Sequence, residues 1–151
     1  MRIEADFEKQ CTTLFAAAVR RGEGIAMFTD CFCGDILRVG DPYAFLHVFS
    51  PEEIFEIHKD TLTDEEISSL VNCPENVRVT RKMLRDWKGT KNPKVWLQEM
   101  LDSRAGNIDP GLTRETIAKA EKGIRFQLRQ LSPGGRLLNL FQHFSLFKGK
   151  K

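Results

Sequence analysis

The sequence predicts an α+β fold: an N-terminal helix on a small antiparallel three-stranded sheet, followed by a mostly helical C-terminal two-thirds. Three observations predict it. Apolar residues recur at helical spacing over residues 4–21, alternate with period two within residues 25–49, and return to helical spacing after Ser50.

The first helix places Phe7, Cys11, Leu14, Phe15, Ala18 and Val19 on one face, and Gly22 and Gly24 stop it. Three short strands follow. Ile25–Cys33 runs into a Gly34-Asp35 turn and Ile36–Val39 into a Gly40-Asp41-Pro42 turn. Tyr43–Phe49 sets Tyr43, Phe45, His47 and Phe49 on one face and Ala44, Leu46 and Val48 on the other, both apolar enough for helices to cover.

From residue 50 onward the chain reads as all-helical. Ser50-Pro51-Glu52-Glu53 is a capping box with Pro at the first helical position, and Thr63-Asp64-Glu65-Glu66 is a second box. Pro74 separates that short helix from one over 76–88. Pro93 opens another over 93–104, and Thr113 caps a longer one over 114–131. Ser132-Pro133-Gly134-Gly135 is a break before a final amphipathic segment, 136–147. The clearest boundary is the loop Ala105–Gly111. It divides an α+β core domain, 1–104, from a helical extension, 105–151, expected to pack on that core.

A chain of 151 residues buries enough surface to fold without disulfides or metal. The N-terminus has no apolar signal region, and no apolar run approaches the ~20 residues of a membrane span. The expected setting is cytoplasmic, with Cys11, Cys31, Cys33 and Cys73 reduced. Eleven Phe against one Tyr and two Trp point to rings in cores or interfaces.

Charge is the strongest functional signal. Residues 1–76 carry 6 Lys/Arg and 15 Asp/Glu, whereas residues 77–151 carry 17 and 6. Such a split points to a polyanionic partner or to two parts of opposite sign that face each other. On a helix over 77–88, Arg78, Arg81, Lys82, Arg85 and Lys88 share one side, opposite Val77, Met83, Leu84 and Trp87. Over 114–131, Arg114, Lys122, Arg125 and Arg129 share a second stripe. Two guanidinium-rich ridges suit phosphate oxygens. The plainer alternative is a solvated face, or one neutralised by the acids of 52–66 (Glu52, Glu53, Glu56, Asp60, Asp64, Glu65 and Glu66).

Residues 63–88 also have the outline of a helix-turn-helix, with Asn76, Arg78 and Arg81 as the base-facing candidates. Asn72 stands where that motif prefers glycine, so the likeness is one of outline only. Cys31-Phe32-Cys33 sets two thiols on one strand face, and with His47 or His58 and Cys73 a zinc site can be drawn. Zinc sites favour wider Cys spacing in loops, so buried structural cysteines, no metal and no cofactor are expected. A Cys31–His47–Asp nucleophilic arrangement can also be drawn, but no catalytic constellation stands out, and the expectation is a non-enzymatic protein.

In the last segment Leu137, Leu140, Phe141, Phe144 and Phe147 form a stripe, followed by Lys148, Lys150 and Lys151. Such a stripe docks on its own core or forms an interface to a protein partner or a second copy, with Leu137, Phe141, Phe144 and Phe147 as contacts. Two functions follow. The first is a nucleic-acid-associated regulatory or accessory protein that grips a DNA or RNA backbone through Asn76, Arg78, Arg81, Lys82, Arg85, Lys88, Arg125 and Arg129. The second is a protein-interaction module using the acidic 52–66 region or the Phe-rich end.

Overall fold

The computed structural model describes residues 2–131 and has the expected α+β character, mostly helical. Helix α1 spans Arg2–Arg21. Its end is turned by Glu23 at φ 53° and Gly24 at φ 100°, a left-handed geometry that glycine adopts without cost. Strands β1 (Phe28–Thr29) and β2 (Ile36–Leu37) form a short hairpin, with Phe28 opposite Leu37. Strand β3 (Tyr43–His47) then leaves this pair.

The partner of β3 is β4 (Val77–Arg81), antiparallel, with Tyr43 opposite Arg81 and His47 opposite Val77. Two two-stranded sheets therefore replace the expected three-stranded one. The amide of Cys31 donates to Val79 O (3.0 Å), which lays the end of the hairpin beside β4.

Strand β4 also corrects the reading of an all-helical chain after Ser50. Val77-Arg78-Val79-Thr80 is β-branched at three of four positions, with Val77, Val79 and Thr80 buried and Arg78 exposed. The free edge of β3 offers it a ladder that an isolated helix could not match. Only Lys82–Lys88 is helical, as α4. The helix-turn-helix is thus absent, because its second helix begins as a strand.

The other helices lie close to expectation: α2 (Pro51–His58), α3 (Asp64–Val71), α5 (Pro93–Ser103) and α6 (Pro110–Leu131). Ser50 caps α2 by accepting from Glu53 N at 3.2 Å. At Thr63 both arms of the capping box are made. Helix α6 starts earlier than Thr113. Asp109 Oδ1 accepts from Leu112 N (2.9 Å), while the Thr113 hydroxyl is buried and donates to Phe32 O (3.0 Å).

Helices cover both sides of the β3–β4 pair. On one side Phe7 of α1 stacks on His47 with ring centroids 4.4 Å apart, and Phe28 meets Tyr43 at 4.7 Å. On the other, Leu46 joins Phe32, Leu84, Trp96 and Met100. The largest cluster unites Phe49, Ile54, Ile67, Leu70, Ile124 and Leu128, with Ile3 and Leu131 half-buried against it. Burying each such side chain contributes roughly 1.5–3 kcal/mol. No described helix is long and apolar enough to cross a membrane.

Candidate interaction surface

The basic ridge expected over 77–88 does not form. Asn76 has no accessible surface. Its side chain accepts from Phe49 N (2.8 Å) and donates to Phe49 O (3.0 Å) and Val71 O (2.8 Å), so it ties the start of β4 to the strand-to-helix turn rather than facing a base. Lys88 is also fully buried, and its Nζ donates to Lys91 O (3.2 Å), His47 O (3.4 Å) and Gly89 O (3.5 Å). Desolvation pushes its pKa down to about 8, partly offset by Glu53, Cys31 and Glu52. Neither residue can touch a phosphate.

The remaining cations are spread over several elements. Arg81 bridges to Asp35 (2.8 Å), and that guanidinium holds the Asp35 carboxyl below the usual range. Arg85 turns to its neighbour Asp86 (2.9 Å). Arg125 and Lys94 share Glu121 of α6, at 2.7 and 2.9 Å. Arg78, Lys82 and Arg129 are exposed. Among the described residues Arg81, Arg85, Arg125 and Lys94 thus each meet an acid outside 52–66.

The cysteines also depart from expectation. Strand β1 ends at Thr29, so Cys31 and Cys33 sit in a turn rather than on one strand face. Buried Asp30 curls that turn. Its carboxylate accepts from Phe32 N, Cys33 N, Thr80 Oγ1 and Arg81 N at 2.6–3.0 Å. All four thiols are free; Cys31 and Cys73 are buried, whereas Cys11 and Cys33 are only half-buried. Burial pushes Cys11 and Cys33 up to about 11 and Cys73 to about 12. Among the described residues no group of three or more His, Cys, Asp or Glu is gathered for a metal. Leu137, Phe141, Phe144 and Phe147 lie outside the described residues.

The acidic half builds a clearer site. Helices α2 and α3 both begin with acids, which suit the positive ends of helix dipoles. Glu56 and Asp60 extend the charge beyond those first turns. Glu52, Glu56, Asp60, Asp64 and Glu65 are exposed; among the described residues Lys59 pairs with Glu56 (3.0 Å) and Arg2 with Glu65 (3.5 Å).

Within this face lies a groove of about 340 Å³ lined by Arg2, Ile3, Phe55, Asp64 and Ile67. Its volume is near the lower end for ligand-sized sites, roughly 300–1,000 Å³. Ile54 and His58 take the buried stripe of α2, which leaves Phe55 40% exposed on the groove side.

The α1 wall of the groove is held from beneath. Buried Asn72 donates to Ile3 O (3.1 Å) and to Ser68 O (3.1 Å), and its Oδ1 lies 2.8 Å from His47 Nε2. Ser68 donates to Asp6 Oδ2 at 2.7 Å, which lowers the Asp6 pKa. Ile3 and Phe55 were not legible as site residues, because neither stands out from an ordinary amphipathic pattern. The acids around them were.

A second apolar cleft, about 460 Å³, lies at the other end of α1 among Phe15, Val19, Ile25, Val39 and Tyr43, with Arg38 on its rim. Against known proteins the chain matches no family model, no curated protein and no solved structure, so geometry alone carries the functional reading.

Proposed function

We propose that the chain is a non-enzymatic protein-interaction module whose α2–α3 face receives an apolar segment flanked by Lys or Arg. The observation that carries this is the apolar groove at Ile3, Phe55 and Ile67 set inside an acidic surface. Apolar side chains entering the groove supply affinity, and the surrounding acids select the charge of what enters.

Charge balance favours this reading over nucleic-acid binding. Four of the 23 Lys and Arg, and none of the 21 Asp and Glu, fall in 132–151. The other 19 cations stand among all 21 anions, and the whole chain carries a formal charge of only +2, too little to draw a polyanion from a distance. The second reading keeps exposed Arg78, Lys82 and Arg129, with Arg81 and Arg85, as a discontinuous set of phosphate contacts.

Fluorescence titration of the full chain with a labelled Leu/Lys amphipathic peptide, its Leu/Glu counterpart and a DNA duplex discriminates the two. Binding of the Lys peptide alone is expected, weakened by salt and lost in Phe55→Lys. Preference for the duplex, or equal binding of both peptides, refutes the proposal.

A further inference from the structure

We infer that the groove is occupied in the free protein by the chain's own residues 137–147, which give way to a partner segment of like chemistry. The inference rests on the interaction reading above and adds its regulation. Position is the first argument. Leu131, the last described residue of α6, is half-buried against the same core cluster that holds Ile67 and carries Ile3 at its edge. Groove and chain exit therefore share one core. Residues 132–136 can span up to about 17 Å from that point.

Chemistry is the second argument. Leu137, Leu140, Phe141, Phe144 and Phe147 recur at spacings of three and four. Arg136 precedes them, Lys148, Lys150 and Lys151 follow, and no acid occurs from 132 to 151. This is an apolar stripe bracketed by cations, and the groove is an apolar cleft in a face of exposed acids. The two match in polarity, and the exposed acids of the α2–α3 face outnumber Arg2, the one cation on the described lining, and so suit the segment's cations.

Tethering makes such a contact effective even when it is weak. A short linker holds its ligand at an effective concentration on the order of 1 mM. With an intrinsic Kd of about 0.1 mM, the tethered segment fills the groove roughly ten to one, and an added competitor binds about tenfold more weakly.

The test uses the full chain, the double variant Phe141→Asp/Phe144→Asp, and the groove variant Phe55→Lys. The probe is a synthetic peptide with the sequence of residues 136–151, and the Ile3 and Ile67 methyl signals are followed by NMR. The double variant is expected to bind the peptide about tenfold more tightly than wild type. Its methyl signals should start elsewhere and move to the wild-type positions on saturation. Phe55→Lys should abolish peptide binding and shift the wild-type methyl signals.

Equal affinity in wild type and double variant, with identical methyl signals, overturns the internal occupant and leaves the groove as a binding site. No binding to either protein, again with identical signals, overturns the groove reading as well. Methyl signals that change on dilution, with a dimer in sedimentation, assign the segment to a second copy and also overturn the inference.

Discussion

Replacing Lys88 with methionine tests how far this cation has left the surface. Its Nζ meets three backbone carbonyls at 3.2–3.5 Å, and the residue has no accessible surface. The charged groups around it are Glu53 and Glu52 from α2, His47 from β3 and the Cys31 thiol. The unfolded chain keeps the ammonium proton up to about pH 10.5, whereas the folded chain keeps it only to about pH 8. Below pH 8 both states are protonated and the folded state bears the full penalty. Between pH 8 and 10.5 only the unfolded state binds the proton, so stability rises with pH, and above 10.5 the penalty is gone.

Two and a half pKa units correspond to about 3 kcal/mol. Wild type should therefore gain about 3 kcal/mol on Lys88→Met across that window, or roughly 6–12 °C in Tm for a domain of this size. The offset between the proteins at pH 7 depends on how the three carbonyls are satisfied once the ammonium is gone, but the pH dependence does not. Urea unfolding of both proteins at half-unit steps from pH 7 to 10.5 measures it. A difference that stays flat across the window would falsify the buried placement.

Gly123→Ala should lower stability by about 1 kcal/mol in urea unfolding, although alanine ordinarily strengthens a helix, because a Cβ there meets Glu75 at 2.5–2.8 Å. Asn72→Ala removes the donor to Ile3 O and Ser68 O and the partner of His47; it should cost about 2–3 kcal/mol and weaken peptide binding at the groove. At pH 8, iodoacetamide should label Cys11 and Cys33 at least tenfold more slowly than free cysteine, since burial raises both to about 11. Peptide mass spectrometry reads that rate, and labelling as fast as the free amino acid refutes the burial argument.

What the sequence revealed followed the range of the interactions involved. Caps at Ser50 and Thr63, the glycines after α1 and the prolines that open α2 and α5 act over a few residues, and the corresponding helices formed. Strand β4 failed because its evidence was split. Arg78, Arg81, Lys82 and Arg85 fit a helical arc by spacing, while Val77, Val79 and Thr80 carried the β-branched signal, and a partner 34 positions away decided between them. Asn76 and Lys88 were misjudged for a related reason. An amide and an ammonium are read as surface groups until a set of backbone carbonyls closes around them. At the candidate site the acids were legible from composition, whereas Phe55 became distinctive only when Ile54 and His58 took the buried stripe of α2.

The turn around Asp30 sets a timetable for folding. Its contacts reach 50 and 51 residues to Thr80 and Arg81, while Phe32 O and Cys31 O wait for Thr113 and Thr116, 81 and 85 residues downstream. Closing a loop of about 80 residues costs on the order of 4 kcal/mol of chain entropy before any contact repays it. The β1–β2 hairpin thus gains its anchors in β4 first and lacks the last two until the opening turns of α6 are in place. Helices α1, α2 and α3 form from local bonds, although docking α1 on α3 closes loops of 62 and 69 residues through Ser68–Asp6 and Asn72–Ile3. Protection of the Phe32 and Cys33 amides should therefore appear last in a pulse-labelled refolding reaction, together with the amides of α6, at a rate set by topology rather than by helix formation.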